Sequence, residues 1–238
     1  MIVYRPNKLA LELTPGALTY VLPHPLALEH YHRWSGVPET SLIEWAVAEH
    51  MPPGLVFLDI GANIGNWSFP FAASGKPSRI HAWEPQRSML PCLMAGIALN
   101  DYLDLIEVHR VALGSPEQVG TAMLHVRTEA GGDSSLRDDL TLVWSRDETV
   151  VVRTLDSYAL ENIGLVKIDV EGSELNVLRG ALTTLERSGW PSIFFEAWST
   201  EWYKPHKEEL FMFLRGLGYE VSPINHYSEE FVAVHSCS

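Results

Sequence analysis

The sequence predicts an α/β fold, a doubly wound and mainly parallel sheet with helices on both faces, entered through an N-terminal β-hairpin and helix. Three observations carry this. After Gly54, short apolar runs alternate with stretches of helical spacing, which is the pattern of a parallel sheet built from strand–helix units. The first run, Leu55 to Ile60, reads as a strand buried on both faces and is followed at once by a glycine turn, Gly61 to Gly65. The chain has 238 residues, 46% hydrophobic and 20% charged, enough apolar material for one core, which can grow to about 250 residues before a chain splits.

In order, Ile2 to Val21 alternates loosely around Pro15-Gly16 and predicts a short hairpin. Leu42, Ile43, Trp45, Ala46 and Val47 have helical spacing, stopped by Pro52-Pro53-Gly54. These two elements make an extension over residues 1–53. The domain proper, 54–238, then reads strand Leu55–Ile60, helix Ile64–Ala73, strand Arg79–Trp83, helix Ser88–Leu99 and strand Ile106–Val111. A fourth strand, Leu165–Val170, is followed by helix Glu174–Leu185 and strand Ile193–Phe195. Ser115 to Tyr158 is too long for a simple crossover, contains a strand pattern at Thr149–Thr154, and predicts an antiparallel excursion near the binding face. The chain closes with a helix, Glu208–Leu217, and a hairpin from Tyr219–Val221 and Phe231–Val234.

A formal net charge of −13 and the lack of any basic run argue against a nucleic-acid partner. Cys92 and Cys237 lie far apart, which argues against a disulfide framework. Met1 to Gly16 lacks a basic-then-apolar leader, and no apolar stretch reaches the roughly 20 residues that span a bilayer, so the expectation is a soluble, cytoplasmic protein.

The glycine turn, Asp59-Ile60-Gly61-Ala62-Asn63-Ile64-Gly65, falls between a strand and a helix, where a ligand can approach without a β-carbon in its way. Glu84 ends the next strand and brings a carboxylate to the same crevice, placed to accept both hydroxyl protons of a ribose. Dinucleotide binders need G-x-G-x-x-G beneath a pyrophosphate, whereas this turn is G-x-x-x-G and carries an acid, Asp59, which repels phosphate. Adenosylmethionine, with a sulfonium, an α-amino group and no phosphate, suits it better. Val111-Ala112 follows the third strand, where an adenine edge can lie, and Asp169 ends the fourth.

Together with Trp83-Glu84-Pro85, Ala112-Leu113-Gly114, Asp133-Ser134-Ser135-Leu136, Thr154-Leu155-Asp156 and the segment Val166 to Glu174, the turn makes the chain resemble the FkbM family of class I methyltransferases from about Pro38 to Phe195. The resemblance implies a Rossmann-like fold, adenosylmethionine as cofactor, and O-methylation of a hydroxyl on a sugar, polyketide or other natural product. It further implies a donor site made of Asp59, Gly61, Ala62, Asn63, Gly65, Asn66, Glu84, Pro85, Val111, Ala112 and Asp169. Arg110 stands where relatives often have a smaller polar residue.

On the acceptor side, Asp169, Glu171 and Glu196 are the candidate catalytic residues, each at or just past a strand end. Methyl transfer is a displacement at an already activated carbon, so a base is useful rather than obligatory. Glu174 reads as a first-turn helix residue, and Asp169 has the competing role of capping Gly172 and Ser173. His206 and His226 are exposed-loop candidates, His24, His30 and His32 lack zinc spacing, and no structural metal is expected. Magnesium on Asp169, Glu171, Glu196 and Asn225 is possible but not expected. Trp198 and Trp202 can wall an acceptor pocket or simply pack. N-methylation of a peptide or amine, or a catalytically silent adenosine-ligand module, stay open beside O-methylation of a small hydroxylated acceptor.

Overall fold

The computed structural model describes residues 2–5, 8–12, 18–23, 39–128, 132, 134–138, 143–227 and 229–236, with only the backbone of 2–12. His24, His30, His32, Cys237 and the Pro15-Gly16 turn lie outside the described residues.

A seven-stranded sheet forms the core. Its parallel strands are β4 (Val56–Ile60), β5 (Arg79–Trp83), β6 (Ile106–His109), β10 (Ile163–Ile168) and β11 (Ser192–Glu196). A closing hairpin, β12 (Tyr219–Pro223) and β13 (Glu230–His235), adds antiparallel strands, giving the order β12-β13-β11-β10-β4-β5-β6. The chain moves outward from β4 in one direction and returns to start β10 beside β4, so the crevice between their carboxyl ends is the topological switch point where open α/β sheets bind ligands.

Alternation along the strands separates the two faces. Phe57, Ile80, Leu165 and Phe194 point toward α1 (Thr40–Trp45, continued by a wide turn to His50), α2 (Ser68–Ala73) and α3 (Leu90–Leu99). Leu58, Val166, Ile168 and Phe195 point toward α4 (Glu174–Arg179), α5 (Leu182–Arg187) and α6 (Lys204–Gly216). Both sets are buried, as a doubly covered sheet requires.

The N-terminal segment forms three antiparallel strands, β1 (Ile2–Arg5), β2 (Lys8–Glu12) and β3 (Thr19–Leu22), so one strand joins the expected hairpin. It is tied to α3 by a reciprocal pair: Thr19 N–H donates to Asn100 Oδ1 at 2.8 Å, and Asn100 Nδ2 donates to the Thr19 carbonyl at 2.8 Å.

Several boundaries differ from the sequence reading, four of them for reasons visible in the structure. The helix expected from Ile64 begins at Ser68, because Asn63 and Gly65 take positive φ (51° and 99°) and hold 64–67 in turns. The third strand ends at His109, leaving Val111 in a bend. The last long helix starts at Lys204, with Pro205 in its first turn, where a missing N–H costs nothing. The helix expected over Glu174–Leu185 is two helices broken at Gly180. There the backbone lies so close to the Gly114 carbonyl that a β-carbon would collide with it, and the Asp156 carboxylate starts α5 by accepting from Thr183 and Thr184 N–H at 3.1 and 2.8 Å.

The excursion between β6 and β10 is a second sheet in the order β7-β9-β8, from β7 (Ala112–Leu113), β8 (Gly120–Val126) and β9 (Arg146–Arg153). β8 and β9 are antiparallel. His125 pairs through both backbone groups with Ser135, which folds residues 134–138 back over the carboxyl edge of the main sheet.

Candidate active site

A cleft of about 650 Å3, counting its open mouth, lies at the switch point. Gly61 forms its floor. Its φ of 86° and the Asp169 carbonyl, which occupies the place of a β-carbon, exclude any side chain where the ends of β4 and β10 meet. Gly61 and Ala62 N–H both donate to the Trp83 carbonyl (3.0 and 2.9 Å), stitching the turn to β5.

Of the residues expected at the donor site, Gly61, Asn63, Glu84, Pro85, Val111 and Ala112 line the cleft, as does Asp169. Gly65 and Ala62 shape the turn from behind, with the Phe69 ring pressed on Gly65 where a β-carbon would sit. Asn66 and Gly65 are not part of the lining, nor is Asp59. The Asp59 side chain points into the core, accepts from Ser68 Oγ at 2.6 Å and faces Lys167. Burial raises its pKa against the pull of Lys167 and Ser68.

Glu84 is the most informative group. It is buried at the cleft wall, where Oε2 accepts from Asn63 N–H at 2.9 Å and Oε1 from Gln86 N–H at 2.7 Å. Burial pushes its pKa up to about 7, although the two amides favour the ionised form; Asp59 and Asp169 add to the rise. A buried carboxyl whose oxygens each retain a lone pair has reason to bind two further donors, and a vicinal diol supplies them.

Past β10, the carboxylates of Asp169, Glu171 and Glu196 come within 4.8 Å of one another. Glu171 reaches the group from a left-handed turn (φ 53°), not from the extended segment the spacing predicts. Asp169 does not cap the helix. Glu174, in the helix's first turn, takes the Gly172 amide instead, accepting from Gly172 N–H at 3.0 Å and from Tyr203 O–H at 2.9 Å, and the Asp169 carboxylate pairs with Lys167 Nζ at 2.6 Å. Glu196 accepts from Trp198 Nε1 at 2.9 Å; burial, then Asp169 and Glu230, hold its pKa well above the ordinary carboxylate range. Trp198, Trp202 and Tyr203 form one ring cluster beside it. His206 lies in α6 and meets Arg137 at 2.7 Å, while Asn225 and His226 are exposed and His226 is not among the residues that gather with the carboxylates.

Sequence reasoning missed two features. Lys167 is only 3% exposed, among Asp59, Asp169, Glu39 and Glu230. Burial opposes its charge, but those carboxylates outweigh it and raise its pKa. The signal was present: a lysine inside Leu165-Val166-Lys167-Ile168 has no apolar reason to be there. Trp83, Gln86, Ser134, Leu136 and Ser173 also line the cleft, with Ser134 Oγ donating to Gln86 Oε1 at 2.8 Å.

The model of the methyltransferase FkbM domain matches residues 59–221, well over half of the chain. The chain belongs to the FkbM methyltransferase family. It is similar to the methyltransferase sdnD of Sordaria araneosa, 26% identical over 207 residues that cover 73% of this chain and 76% of that one. It is also similar to the AMB antimetabolite synthetase AmbE of Pseudomonas aeruginosa, 28% identical over 166 residues, 55% of this chain but 8% of AmbE. Among solved structures, methyltransferase FkbM from Methylobacillus flagellatus aligns with a TM-score of 0.56 at 20% identity, over 86% of this chain and 49% of that one. Precorrin-6y C5,15-methyltransferase from Geobacter metallireducens aligns with a TM-score of 0.51 at 16% identity, over 84% and 90%. The chain thus spans about half of the first of these structures and a small part of AmbE. Its fold is the Rossmann-like class I methyltransferase fold, in which adenosylmethionine is the methyl donor. Among the described residues no helix is long and apolar enough to cross a membrane.

Proposed function

We propose that this FkbM methyltransferase takes the methyl group of adenosylmethionine and places it on a hydroxyl of a small natural product or sugar. The observation that carries the donor half is Glu84, a buried carboxyl fixed by two backbone amides in a cleft whose floor is a glycine. Glu84 holds the ribose hydroxyls. Gly61, Asn63, Pro85, Val111 and Ala112 contact the remainder of the nucleoside, and Asp169 at the cleft edge faces the cationic amino end. Ala62, Gly65, Asn66 and Asp59 keep the turn in shape from behind. Bound there, adenosylmethionine supplies a carbon activated by its sulfonium, so the protein's part is to position the acceptor and receive its proton.

Glu196, with Asp169 and Glu171 within 4.8 Å, is the group to receive that proton. Its raised pKa makes it a stronger base once ionised, and the donor's positive charge favours ionisation. The chemistry of the carboxylate trio also fits a magnesium ion, which the reaction does not require. The domain responsible is 54–238, with 1–53 as an extension packed on it. A soluble cytoplasmic enzyme acting on a free small molecule, with no nucleic-acid or membrane partner, is the setting we infer. The antimetabolite synthetase AmbE supports small-molecule biosynthesis as the context.

An excess of carboxylates over Lys167 around the acceptor side favours a second reading, N-methylation of an amine or peptide. Calorimetric titration with adenosylmethionine, its demethylated product and NAD, with and without magnesium, tests the donor half. An acceptor screen by mass spectrometry over glycosides, phenols and amines then tests the rest. Donor binding with no methylated product from any acceptor would leave a silent binding module; methylated amines alone would replace the hydroxyl reading.

A further inference from the structure

Outside the cleft lining, on β5 and the edge strand β6 behind Trp83, three side chains share one face of the sheet. His81 on β5 and Glu107 on the edge strand β6 are register partners, and His109 lies one pleat further along β6 opposite Trp83. His81 Nδ1 and His109 Nε2 are 2.9 Å apart. The two oxygens of Glu107 lie 3.9 Å from them, Oε2 from His81 and Oε1 from His109.

We propose that His81, Glu107 and His109 bind a divalent transition-metal ion of the zinc class. Metal–nitrogen and metal–oxygen bonds of about 2.0–2.2 Å put tetrahedral ligands about 3.3 Å apart. The two nitrogens at 2.9 Å and Oε1 at 3.9 Å from His109 need shifts of a few tenths of an ångström in side chains only, and one ligand atom of each of the three residues already lies within 4.8 Å of the others. The nitrogens face each other at hydrogen-bond distance, one donating N–H to the other's lone pair; with the donating ring's proton moved to its other nitrogen, both lone pairs are turned to the same side for an ion. Both rings are oriented before any ion arrives. They lie nearly parallel (14°), Trp83 stacks on His109 at 4.7 Å and on His81 at 5.9 Å, and the Tyr158 edge closes on His109 at 4.9 Å. Arg79 Nη2 donates to Glu107 Oε2 at 2.9 Å and fixes the carboxylate, as an outer partner of a metal ligand does, leaving Oε1 for the ion. Glu107 is half-exposed at the sheet edge, so solvent or a small ligand can complete the coordination. Two imidazoles and one carboxylate select zinc, nickel, copper or cobalt over magnesium, in contrast to the all-oxygen trio at the cleft.

The test uses the untagged full chain, titrated with zinc chloride and with magnesium chloride by calorimetry, and with cobalt(II) by visible absorption. One zinc per chain and a cobalt band are expected, with no magnesium heat removed by the variants. Affinity for zinc should fall at least tenfold in His109→Ala and His81→Ala, fall severalfold in Glu107→Gln, and hold in Glu171→Gln. Because His81 is buried and its variant can fail to fold, the half-exposed Glu107 carries the decision together with His109. The proposal is overturned by the absence of zinc binding, or by zinc binding and a cobalt band that survive His109→Ala and Glu107→Gln unchanged, which would place the ion elsewhere, for instance on His125 between Asp138 and Asp147.

Discussion

Glu84→Gln should separate stability from donor binding, and each in a pH-dependent way. In the folded chain the carboxyl titrates at about 7 against an ordinary value of 4.5. A raised carboxyl favours the folded state while it holds its proton. Its contribution is therefore greatest below the unfolded value and is lost as pH rises through the folded one. The 2.5-unit gap is worth about 3 kcal/mol in all, of which about 2 to 3 kcal/mol is lost between pH 5 and pH 8. Glutamine has no such titration. It offers only one oxygen to the two amides of Asn63 and Gln86, a fixed cost of about 1–3 kcal/mol at every pH. Urea unfolding of both proteins from pH 5 to pH 8 should show the difference between them swinging toward the variant by that 2 to 3 kcal/mol, with other titrating groups cancelling. Donor affinity should move oppositely. In the wild type it falls about tenfold from pH 8 to pH 6 as the acceptor of the ribose protons is lost, and in the variant it is weak and flat. Stability curves that stay parallel, or a variant that keeps wild-type donor affinity, would refute the assignment of Glu84.

Three further outcomes are expected. Gly61→Ala should lose donor binding and several kcal/mol of stability by urea unfolding, because its β-carbon would strike the Asp169 carbonyl, whereas Gly54→Ala, with the same sign of φ (80°) and open space around it, should cost about 1–2 kcal/mol. Glu196→Gln should leave the adenosylmethionine titration unchanged while lowering turnover by roughly 10²- to 10⁴-fold and removing a rise of turnover with pH; an unaltered pH–rate profile would strip Glu196 of its role. His125 bridges Asp147 (2.7 Å) and Asp138 (2.8 Å), which raise its pKa, so its hold on 134–138 is full below about 6.5 and is lost as pH passes the higher folded value. Limited proteolysis near Arg137 should accelerate with pH in the wild type, and be fast at all pH in His125→Gln.

The sheet was legible because its strands obey simple patterns. Arg79–Trp83 is the same in sequence and structure, and continuous apolar runs identified β4, β10 and β11 within one or two residues. Glycines that break elements for tertiary reasons were not legible. Nothing local distinguishes Gly180 from a tolerated helix glycine, since its neighbour Gly114 is 66 positions away. The cleft residues at strand ends were legible for the same topological reason as the strands. The inward turn of Asp59 was not, because it depends on Ser68 and Lys167 sharing its face. Ser134 and Leu136 join the cleft only through the pairing of Ser135 with His125, a contact between segments that no periodicity announces.

The meeting of Gly114 with Gly180 bears on how this domain can be rebuilt. The excursion carrying β8, β9 and the cover over the cleft is not a decoration tied on by its two ends. It is keyed into the helical layer where two bare backbones touch, and Asp156 N–H bonds to the Gly180 carbonyl at 2.9 Å in the same joint. A chimaera that imports another acceptor cover between 115 and 158 inherits this keyhole. Transplants that respect both glycines and the Asp156 latch have a seat ready for them; a side chain at Gly180 must pry the helix pair away from the Gly114 carbonyl, and one at Gly114 must displace the Gln118 and Val152 side chains.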